Sequence, residues 1–404
     1  METRTIAVAY FSNTRTRAGA EEHILTLLNG LDRKLFRFFL ICAPEVASRV
    51  KCDLPGDVTL FPLLLRKPSH VSAAIRLARL LKANCIDILH SHVFYSSLFA
   101  SPIGYLCRVP VIIETPHVRE AWRHGLKSKF FVDRLVGRAV DYYIAVSESN
   151  ARYLAEQKGL LPKKIRVILN GSDICRFDPR HQVPQGLRET LGFGTDDPVL
   201  LVLGRLEPQK GHSVLLDAMP AVLREFPRVR LVCAGDGALG QDLEQQTRRL
   251  GLENAVRFVG FQANVEDWLA LADITVLPSL FEGLPLVAIE SLAAGRPVVA
   301  SAVDGTSEIV LNGKTGFTVP PGEPSSLASA ICRLLRDSGL RRQFGTTGRQ
   351  WVIERFRKER QVEETQQFYL HAWKQRRRGH VYGAELDVTS QSGQHPLVGL
   401  EKNS

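Results

Sequence analysis

Short apolar runs alternate with segments of helical periodicity along most of the 404-residue chain. Short apolar runs bounded by turn residues are typical of buried strands, and their alternation with helices is typical of parallel sheets. The pattern therefore predicts an α/β protein with two doubly wound sheets. Strands are expected near residues 5–11, 35–42, 86–90, 110–114, 141–146 and 165–169 in the first sheet, and near 198–203, 229–234, 256–259, 273–277, 297–300 and 317–319 in the second.

The chain length suits two domains, each with its own core. A polar, proline-bearing stretch at 177–186 separates the two sets of strands and is typical of a linker, which places the boundary near 180–195. After the last strand, the sequence becomes charged and then loses its apolar periodicity. We therefore expect a first domain over 1–180, a second over 190–357, a helix over 358–378 that packs back on the first domain, and a disordered tail over 379–404.

The positive charge is concentrated in the first half. The formal net charge is +10; residues 1–180 hold 27 Lys and Arg against 16 Asp and Glu, whereas residues 181–404 hold 25 against 26. Part of the excess lies at 119–138, where basic residues alternate with Trp122, Phe130 and other apolar residues. Such a segment can lie on an anionic membrane surface, and it is equally compatible with a solvated helix that packs one face on the core.

Composition narrows the class of protein further. The seven cysteines are scattered singly, without a C-x-x-C pair or a His/Cys cluster, which indicates reduced thiols and neither disulfides nor a zinc site. The N-terminus enters a strand-like run at once, and no apolar stretch reaches the length of a membrane span. We expect a cytoplasmic protein, with peripheral contact at the inner face of the membrane through 119–138.

Two carboxylates, Glu282 and Glu290, lie where an apolar strand gives way to a helix that begins near Pro285. Proline suits a first helical position because its φ is fixed and it has no N–H to lose. Gly283 then lies at the helix N-terminus, where free amides and the helix dipole favour an anion such as phosphate. With Glu290 about two turns into the helix, each carboxylate can bind the hydroxyls of a different sugar of a nucleotide-sugar. The alternative is a pair of solvated surface charges.

A second group of motifs follows neighbouring strands of the second set. Residues 204–211 read Gly-Arg-Leu-Glu-Pro-Gln-Lys-Gly and open a helix, and open α/β sheets bind ligands at such carboxyl edges. The side chains of Arg205 and Lys210 can clasp a diphosphate, the first as a planar fork and the second as a point charge. Gly235 follows the next strand and residues 304–308 follow a later one. The sequence thus predicts a row of strand-end loops around a nucleotide cleft.

Together these motifs resemble those of the family 4 retaining glycosyltransferases, and the resemblance spans roughly residues 5–375. It implies the GT-B architecture, in which two Rossmann-like doubly wound domains face a cleft. It further implies that Arg205 and Lys210 bind the donor diphosphate, that Glu290 binds the ribose and that Glu282 contacts the transferred sugar. The other donor-binding residues that it implies in these loops are Gly204, Gly235, Gly283, Leu284, Pro285 and Leu286.

The first half carries two further motifs of this resemblance. Residues 14–22 occupy the position of the family's double-glycine loop; Ala18 replaces the first glycine, and Gly19 matches a donor-binding residue. A methyl group at position 18 hinders close approach if the site needs a positive φ. His117 follows the strand near 110–114 and matches the family histidine beside the transferred sugar. A single histidine in this position is just as compatible with a structural role.

A glycosyl donor reacts by losing its diphosphate, so the site must stabilise the negative charge that develops there. Arg205, Lys210 and the helix N-terminus near Gly283 supply positive charge without a metal ion, and the sequence has no D-x-D string to bind one. We expect no metal and no cofactor besides the nucleotide-sugar co-substrate. The resemblance implies a front-side route with retention, in which the leaving phosphate oxygen accepts the acceptor's proton. Glu282 then positions the sugar, and His117 orients it or stabilises charge.

The predicted reaction is transfer of a hexosyl group from a UDP- or GDP-sugar to a glycan or lipid-linked acceptor. The resemblance implies a role in building cell-surface polysaccharide or lipopolysaccharide. One alternative is a non-hydrolysing nucleotide-sugar epimerase of the same architecture, which needs no acceptor. Another is a basic nucleic-acid-binding protein, which is disfavoured because no aromatic platform or helix-turn-helix pattern accompanies the basic residues. A dehydrogenase is disfavoured because the first βα turn lacks G-x-G-x-x-G.

Overall fold

The computed structural model describes residues 4–15, 19–119 and 130–377. The predicted tail at 379–404, Ala18 in the glycine loop and residues 120–129 of the basic segment at 119–138 lie outside the described residues. All seven cysteines lie within them and are free thiols. No helix in these three ranges combines the length and the apolar character needed to cross a bilayer.

The first sheet is parallel, and in the described part of the chain it has seven strands in the order β3-β2-β1-β4-β5-β6-β7. Successive side chains of a strand point to opposite faces, so Tyr10 packs in one core cluster and Phe11 in another. Helices therefore cover both faces. The strands are β1 (Ile6–Ser12), β2 (Phe36–Cys42), β3 (Thr59–Pro62), β4 (Ile88–His92), β5 (Val111–Thr115), β6 (Tyr142–Ala145) and β7 (Ile165–Val167). The helices are α1 (Gly19–Gly30), α2 (Pro44–Val50), α3 (Val71–Ala83), α4 (Phe94–Leu106), α5 (Phe130–Val136) and α6 (Glu148–Arg152).

The second sheet is also parallel, with six strands in the order β10-β9-β8-β11-β12-β13 within the described ranges. Leu201 and Leu200 pack in the core clusters on its two faces. The strands are β8 (Val199–Leu203), β9 (Arg230–Ala234), β10 (Val256–Phe258), β11 (Ile274–Leu277), β12 (Val298–Ser301) and β13 (Gly316–Val319). The helices are α7 (Leu187–Thr190), α8 (His212–Glu225), α9 (Gly240–Arg249), α10 (Val265–Leu271), α11 (Leu286–Ala293), α12 (Thr306–Ile309), α13 (Pro324–Arg336) and α14 (Ser338–Arg355), followed by α15 (Lys358–Arg377).

The predicted α/β class with two Rossmann-like parallel-sheet domains is confirmed. Every predicted strand overlaps an observed one, whereas β3 was not predicted. This strand lies at the edge of its sheet, its residues are exposed or half-buried, and it ends at Pro62. An edge strand lacks the continuous burial that makes central strands of parallel sheets stand out in a sequence.

Each sheet has one place where the strand order reverses, between β1 and β4 in the first domain and between β8 and β11 in the second. Loops leaving the carboxyl ends of the strands on either side of such a reversal run in opposite directions and leave a crevice between them. The loops at 204–211 and 278–285 follow β8 and β11. They therefore border the crevice of the second domain.

Within the described residues the chain crosses between the domains twice, and the two crossing segments run side by side. Ser172 N–H donates to Phe356 O at 2.9 Å, and Lys358 N–H donates to Ser172 O at 3.0 Å. Ile174, close to the first crossing, is buried in a core cluster formed mainly by residues of the second domain. After the second crossing, α15 packs against α1 and buries Tyr369 in the core of the first domain.

Gly171 has no room for a side chain at this crossing. A Cβ there would lie 2.5 Å from Arg357 O, whereas a Cβ on Gly56 would meet nothing within 4 Å. Relieving a backbone clash requires the two segments to separate. We expect Gly171→Ala to lower the free energy of unfolding by about 1–3 kcal/mol and Gly56→Ala to leave it almost unchanged, as measured by urea unfolding. Equal midpoints for the two variants would show that the crossing tolerates separation.

Candidate active site

Residues 204–211 form a loop that is held against the loop after β9. The N–H of Gly204 donates to Ala234 O at 3.0 Å. A Cβ on Gly235 would lie 2.0 Å from Gly204 O, so only glycine allows this approach. The fold thus brings together two of the loops that the sequence placed at one edge of the sheet.

Lys210 and Glu282, both predicted site residues, form a direct ion pair. Lys210 Nζ lies 2.6 Å from Glu282 Oε1, and Ser279 Oγ donates to the same oxygen at 2.7 Å. Glu282 is buried, with 4% of its surface exposed. Removing a charged group from water is costly unless a partner compensates it, and here a cation and a hydroxyl do so. The Glu282 carboxylate is therefore held in one position where β8 and β11 end.

Arg205 is exposed and is linked to the same loop through Gln209. Arg205 Nη2 donates to Gln209 Oε1 at 3.2 Å, and Gln209 Nε2 donates to Phe281 O at 3.1 Å. The amide of Gln209 therefore joins the two loops that carry the predicted diphosphate and sugar ligands. Because Arg205 stays exposed, its guanidinium can donate further hydrogen bonds to a ligand.

Gly283 lies against the backbone of the first domain. A Cβ on Gly283 would lie 1.8 Å from His117 O and 3.5 Å from Val146 Cγ2. Both of these residues belong to the first domain, where they follow β5 and β6. The predicted site residues His117 and Gly283 therefore touch through their backbones.

Acidic side chains of the 304–308 segment add polar contacts between the domains. Arg119 Nη1 lies 3.5 Å from Asp304 Oδ1. The Glu308 carboxylate accepts the N–H of Glu148 at 3.0 Å and that of Ser149 at 2.8 Å, at the start of α6. The sequence places this segment among the loops of the nucleotide cleft, and Asp304 Oδ2 accepts the N–H of Glu282 at 2.9 Å. Its acidic side chains also contact the first domain, and no local pattern in the sequence signals that pairing.

Glu290 is the fifth residue of α11, so it lies about one turn into the helix and not two. The residue is only partly covered, but its carboxylate lies deep enough that burial raises its pKa from 4.5 to about 7. Arg176 opposes this rise, whereas Glu22 of the first domain adds to it. Glu290 is thus within electrostatic reach of α1 of the first domain.

Three further histidines surround His117, and the sequence analysis assigned none of them a role. His117 Nε2 lies 2.9 Å from His92 Nδ1. The His23 ring of α1 lies 4.9 Å from that of His117, and the His90 ring lies 4.2 Å from that of His92. All four are buried, and their pKa values lie below the usual 6.5 because burial disfavours the charged ring. They are therefore neutral at neutral pH.

The glycine loop of the first domain is described only in part. Gly19 is the first residue of α1, and a Cβ there would meet nothing within 4 Å. Glu21, which the sequence analysis did not select, is buried and accepts hydrogen bonds from Ser12 Oγ at 3.0 Å and from Thr14 Oγ1. Glu21 lies three residues after Ala18 in the glycine loop, and this position was the sequence signal by which it could have been selected. Its carboxylate fixes the path of the chain from β1 towards α1.

The helix after Gly283 begins with an uncapped first turn. Leu284 is buried, Pro285 is the N-cap and Leu286 is the first residue of α11, and no side chain caps the free amides. Such amides favour an anionic ligand. Among the residues that the structure describes, no group of three or more His, Cys, Asp or Glu side chains is arranged to hold a metal ion.

Comparison with known proteins identifies the class. Residues 185–351 match the family described as glycosyl transferases group 1, and residues 17–176 match glycosyltransferase family 4. An uncharacterized glycosyltransferase of Methanocaldococcus jannaschii is 30% identical over 295 residues, which cover 70% of this chain and 75% of that protein. The chain therefore belongs to glycosyltransferase family 4.

Two further proteins are similar over most of their length. The UDP-Gal:alpha-D-GlcNAc-diphosphoundecaprenol alpha-1,3-galactosyltransferase of Escherichia coli is 24% identical over 372 residues, which cover 87% of this chain and 96% of that protein. The crystal structure of Anabaena HepE in complex with UDP-glucose has a TM-score of 0.80 at 22% identity and covers 91% of this chain and 100% of HepE. The predicted GT-B architecture is confirmed.

The raised pKa of Glu290 makes stability depend on pH. Between pH values of about 4.5 and 7 the folded protein keeps a proton on Glu290 that the unfolded protein has lost. The stability that comes from this proton is therefore complete below a pH of about 4.5, and it is lost as the pH rises through about 7. The glutamine of the Glu290→Gln variant cannot ionise, so the variant does not lose this stability as the pH rises. We expect the variant to gain about 1–3 kcal/mol over the wild type between pH 5 and pH 8, measured by urea unfolding. The exposed Glu189→Gln serves as control, and identical pH profiles of wild type and Glu290→Gln would contradict the assignment.

Proposed function

We propose that this glycosyltransferase moves a hexosyl group, with retention of configuration, from a UDP- or GDP-sugar to a glycan or lipid-linked acceptor. The observation that carries the proposal is the Lys210–Glu282 ion pair beside Gly283, where the two domains meet. The names of the relatives support it, because the E. coli protein is named for UDP-Gal and a diphosphoundecaprenol acceptor, and HepE was crystallised with UDP-glucose. A role in polysaccharide or lipopolysaccharide synthesis at the cytoplasmic face of the membrane belongs to the same proposal.

In this proposal the Lys210–Glu282 ion pair exchanges partners when the donor binds. A diphosphate offers Lys210 a more highly charged partner, and the hydroxyls of the transferred sugar offer hydrogen-bond donors to Glu282. The planar guanidinium of Arg205 donates hydrogen bonds to the diphosphate. Glu290 accepts hydrogen bonds from the ribose. Backbone groups of Gly19, Gly204, Gly235, Gly283, Leu284, Pro285 and Leu286 complete the donor contacts.

The proposed reaction needs neither a metal ion nor a cofactor. The bond between the anomeric carbon and the diphosphate oxygen breaks, and that oxygen accepts the hydroxyl proton of the acceptor. The acceptor oxygen then bonds to the anomeric carbon on the same face. Arg205, Lys210 and the amides at the start of α11 stabilise the charge that develops on the diphosphate. Glu282 positions the sugar, and His117 orients it or stabilises charge.

The first domain offers a surface for contact with an anionic membrane. On α5, Phe131 is 68% exposed and Leu135 is 52% exposed, and Arg134 beside them is also exposed. The inner face of α5 is anchored by the buried Lys158–Asp133 ion pair at 3.1 Å. A firmly held helix with exposed apolar and basic residues suits an interfacial position, and the charge excess of residues 1–180 favours anionic lipid.

Binding of nucleoside diphosphates tests the donor site. We expect UDP or GDP to raise the thermal unfolding midpoint of the wild type, because a ligand that binds only the folded state at about 100 times its Kd adds about 2.7 kcal/mol of stability. Lys210→Ala and Glu290→Ala should lose most of this shift. The exposed Lys314→Ala, in the same domain, should keep it. Equal shifts in all four proteins would refute the site.

The products of the reaction separate a transferase from an epimerase. With a UDP- or GDP-sugar and a lipid-diphosphate glycan acceptor, we expect free nucleoside diphosphate and a lengthened acceptor. An isomerised donor without nucleoside diphosphate would instead support the epimerase. Retention on DNA at physiological ionic strength, lost at high salt, would support nucleic-acid binding.

Flotation with lipid vesicles tests the membrane surface. We expect wild-type protein to float with vesicles that contain anionic lipid and not with zwitterionic vesicles, and to dissociate as salt is raised. The double variant Phe131→Ser with Leu135→Ser should lose flotation because the apolar contact is removed. Phe261→Ser, at a residue 70% exposed in the second domain, is the matched control and should float normally. Flotation of the double variant equal to the control would contradict this surface.

A further inference from the structure

We propose that His92 determines which ring nitrogen of His117 carries the proton, so that His117 offers an N–H donor to the transferred sugar. The part of this inference that concerns the transferred sugar rests on the proposed function, whereas the part that concerns the proton position does not. His92 is a positioning residue in this scheme, because it acts on the sugar through His117 and does not touch it.

The contact between the two rings is short and enclosed. His92 Nδ1 lies 2.9 Å from His117 Nε2, and the ring planes are inclined by 26°. His92 is fully buried, whereas His117 keeps 8% of its surface exposed. Both rings are neutral, since burial lowers their pKa values well below the usual range. Two neutral imidazoles can form this bond only if one nitrogen donates and the other accepts.

The second nitrogen of His92 distinguishes the two arrangements. His92 Nε2 is buried and has no hydrogen-bond partner. If His117 Nε2 were the donor, His92 would carry its proton on Nε2, as a buried N–H without an acceptor. If His92 Nδ1 is the donor, Nε2 holds only an unused lone pair. Buried N–H groups without acceptors are rarer than buried acceptors without donors, so the second arrangement is favoured.

The neighbours of His92 cannot reverse this choice. The rings of Tyr10, His90 and His23 lie 5.7, 4.2 and 5.3 Å from it and restrict its rotation. The polar atoms of Tyr10 and His90, and Nδ1 of His23, are already engaged with other groups, and His23 Nε2, although buried without a partner, makes no hydrogen bond with His92 Nε2. The bonds that occupy them are Tyr369 OH to Tyr10 OH, His90 Nδ1 with Tyr369 OH, His90 Nε2 with Thr115 Oγ1, and His23 Nδ1 with Asn170 Oδ1 and Gln361 Nε2.

It follows that His117 accepts at Nε2 and carries its proton on Nδ1. Nδ1 is the ring nitrogen left to bind a ligand, in a residue whose backbone touches Gly283. An N–H at this position can donate to a sugar hydroxyl oxygen, but it cannot accept a proton there. His117 therefore orients the sugar, and the acceptor's proton goes to the leaving phosphate oxygen.

Nitrogen-15 NMR of histidine side chains tests the proton position directly, because protonated and unprotonated ring nitrogens have distinct chemical shifts. In wild-type protein labelled at its 11 histidines, we expect the His117 signal, identified by its loss in His117→Asn, to show a protonated Nδ1 and an unprotonated Nε2. A proton on His117 Nε2 would overturn the proposal.

Two variants of similar shape test the consequence for transfer. Asn at position 92 keeps an amide donor near the place of Nδ1, whereas Leu keeps the volume and removes the donor. We expect His92→Leu to lower kcat by about 10- to 100-fold with little change in the donor KM, and His92→Asn to retain most of the activity. Equal kcat values for the two variants would also overturn the proposal that His92 acts as a hydrogen-bond donor to His117, because a purely structural role does not distinguish the amide from the isobutyl group.

The two parts of the test fail separately. If wild-type protein transfers sugar from neither UDP- nor GDP-linked donors, the proposed function fails and the nitrogen shifts alone decide the role of His92. If His92→Leu does not fold, as judged by its thermal unfolding, the wild-type shifts and the activity of His92→Asn decide the proposal, and inactivity of a folded His92→Asn counts against it.

Discussion

The absence of a side chain at Gly283 is the constraint on which the arrangement of the site depends. His117 O lies where a Cβ would be, and Gly283 O accepts Gly305 N–H at 3.0 Å and Ser147 Oγ at 3.5 Å. One backbone position therefore joins the start of α11 to the first domain and to the 304–308 segment. Because the site combines residues of both domains, a side chain at position 283 would separate its two halves.

The two carboxylates on either side of this glycine show how tertiary partners give the same residue type different electrostatic properties. Glu282 has a cation, a hydroxyl and a backbone contact, since its N–H donates to Asp304 Oδ2 at 2.9 Å. Glu290 is not matched in this way, and burial raises its pKa. A paired carboxylate is held in one position, which suits sugar positioning, whereas a carboxylate that titrates near neutrality responds to the hydrogen bonds that a ligand brings.

Much of the fold could be predicted because strands that are buried on both faces of a parallel sheet consist of continuous apolar runs, which are visible in the sequence. The missed strand β3 is an edge strand, for which that signal weakens. The ion pair of Lys210 and Glu282 joins two residues that the sequence had selected separately, but nothing local in either loop indicated that they touch. The contacts of Asp304 and Glu308 with the first domain were missed for the same reason.

The sequence by itself determined the order of strands and helices, the class of sheet, and the glycines, cations and carboxylates of the strand-end loops, because local periodicity and turn chemistry specify them. Only the tertiary structure decided that His23 of α1 meets His92 and His117 from two strand ends, and that His117 meets Gly283 across the domains. Those contacts join residues far apart in the chain. They depend on how two sheets and the returning α15 pack together, which no local pattern records.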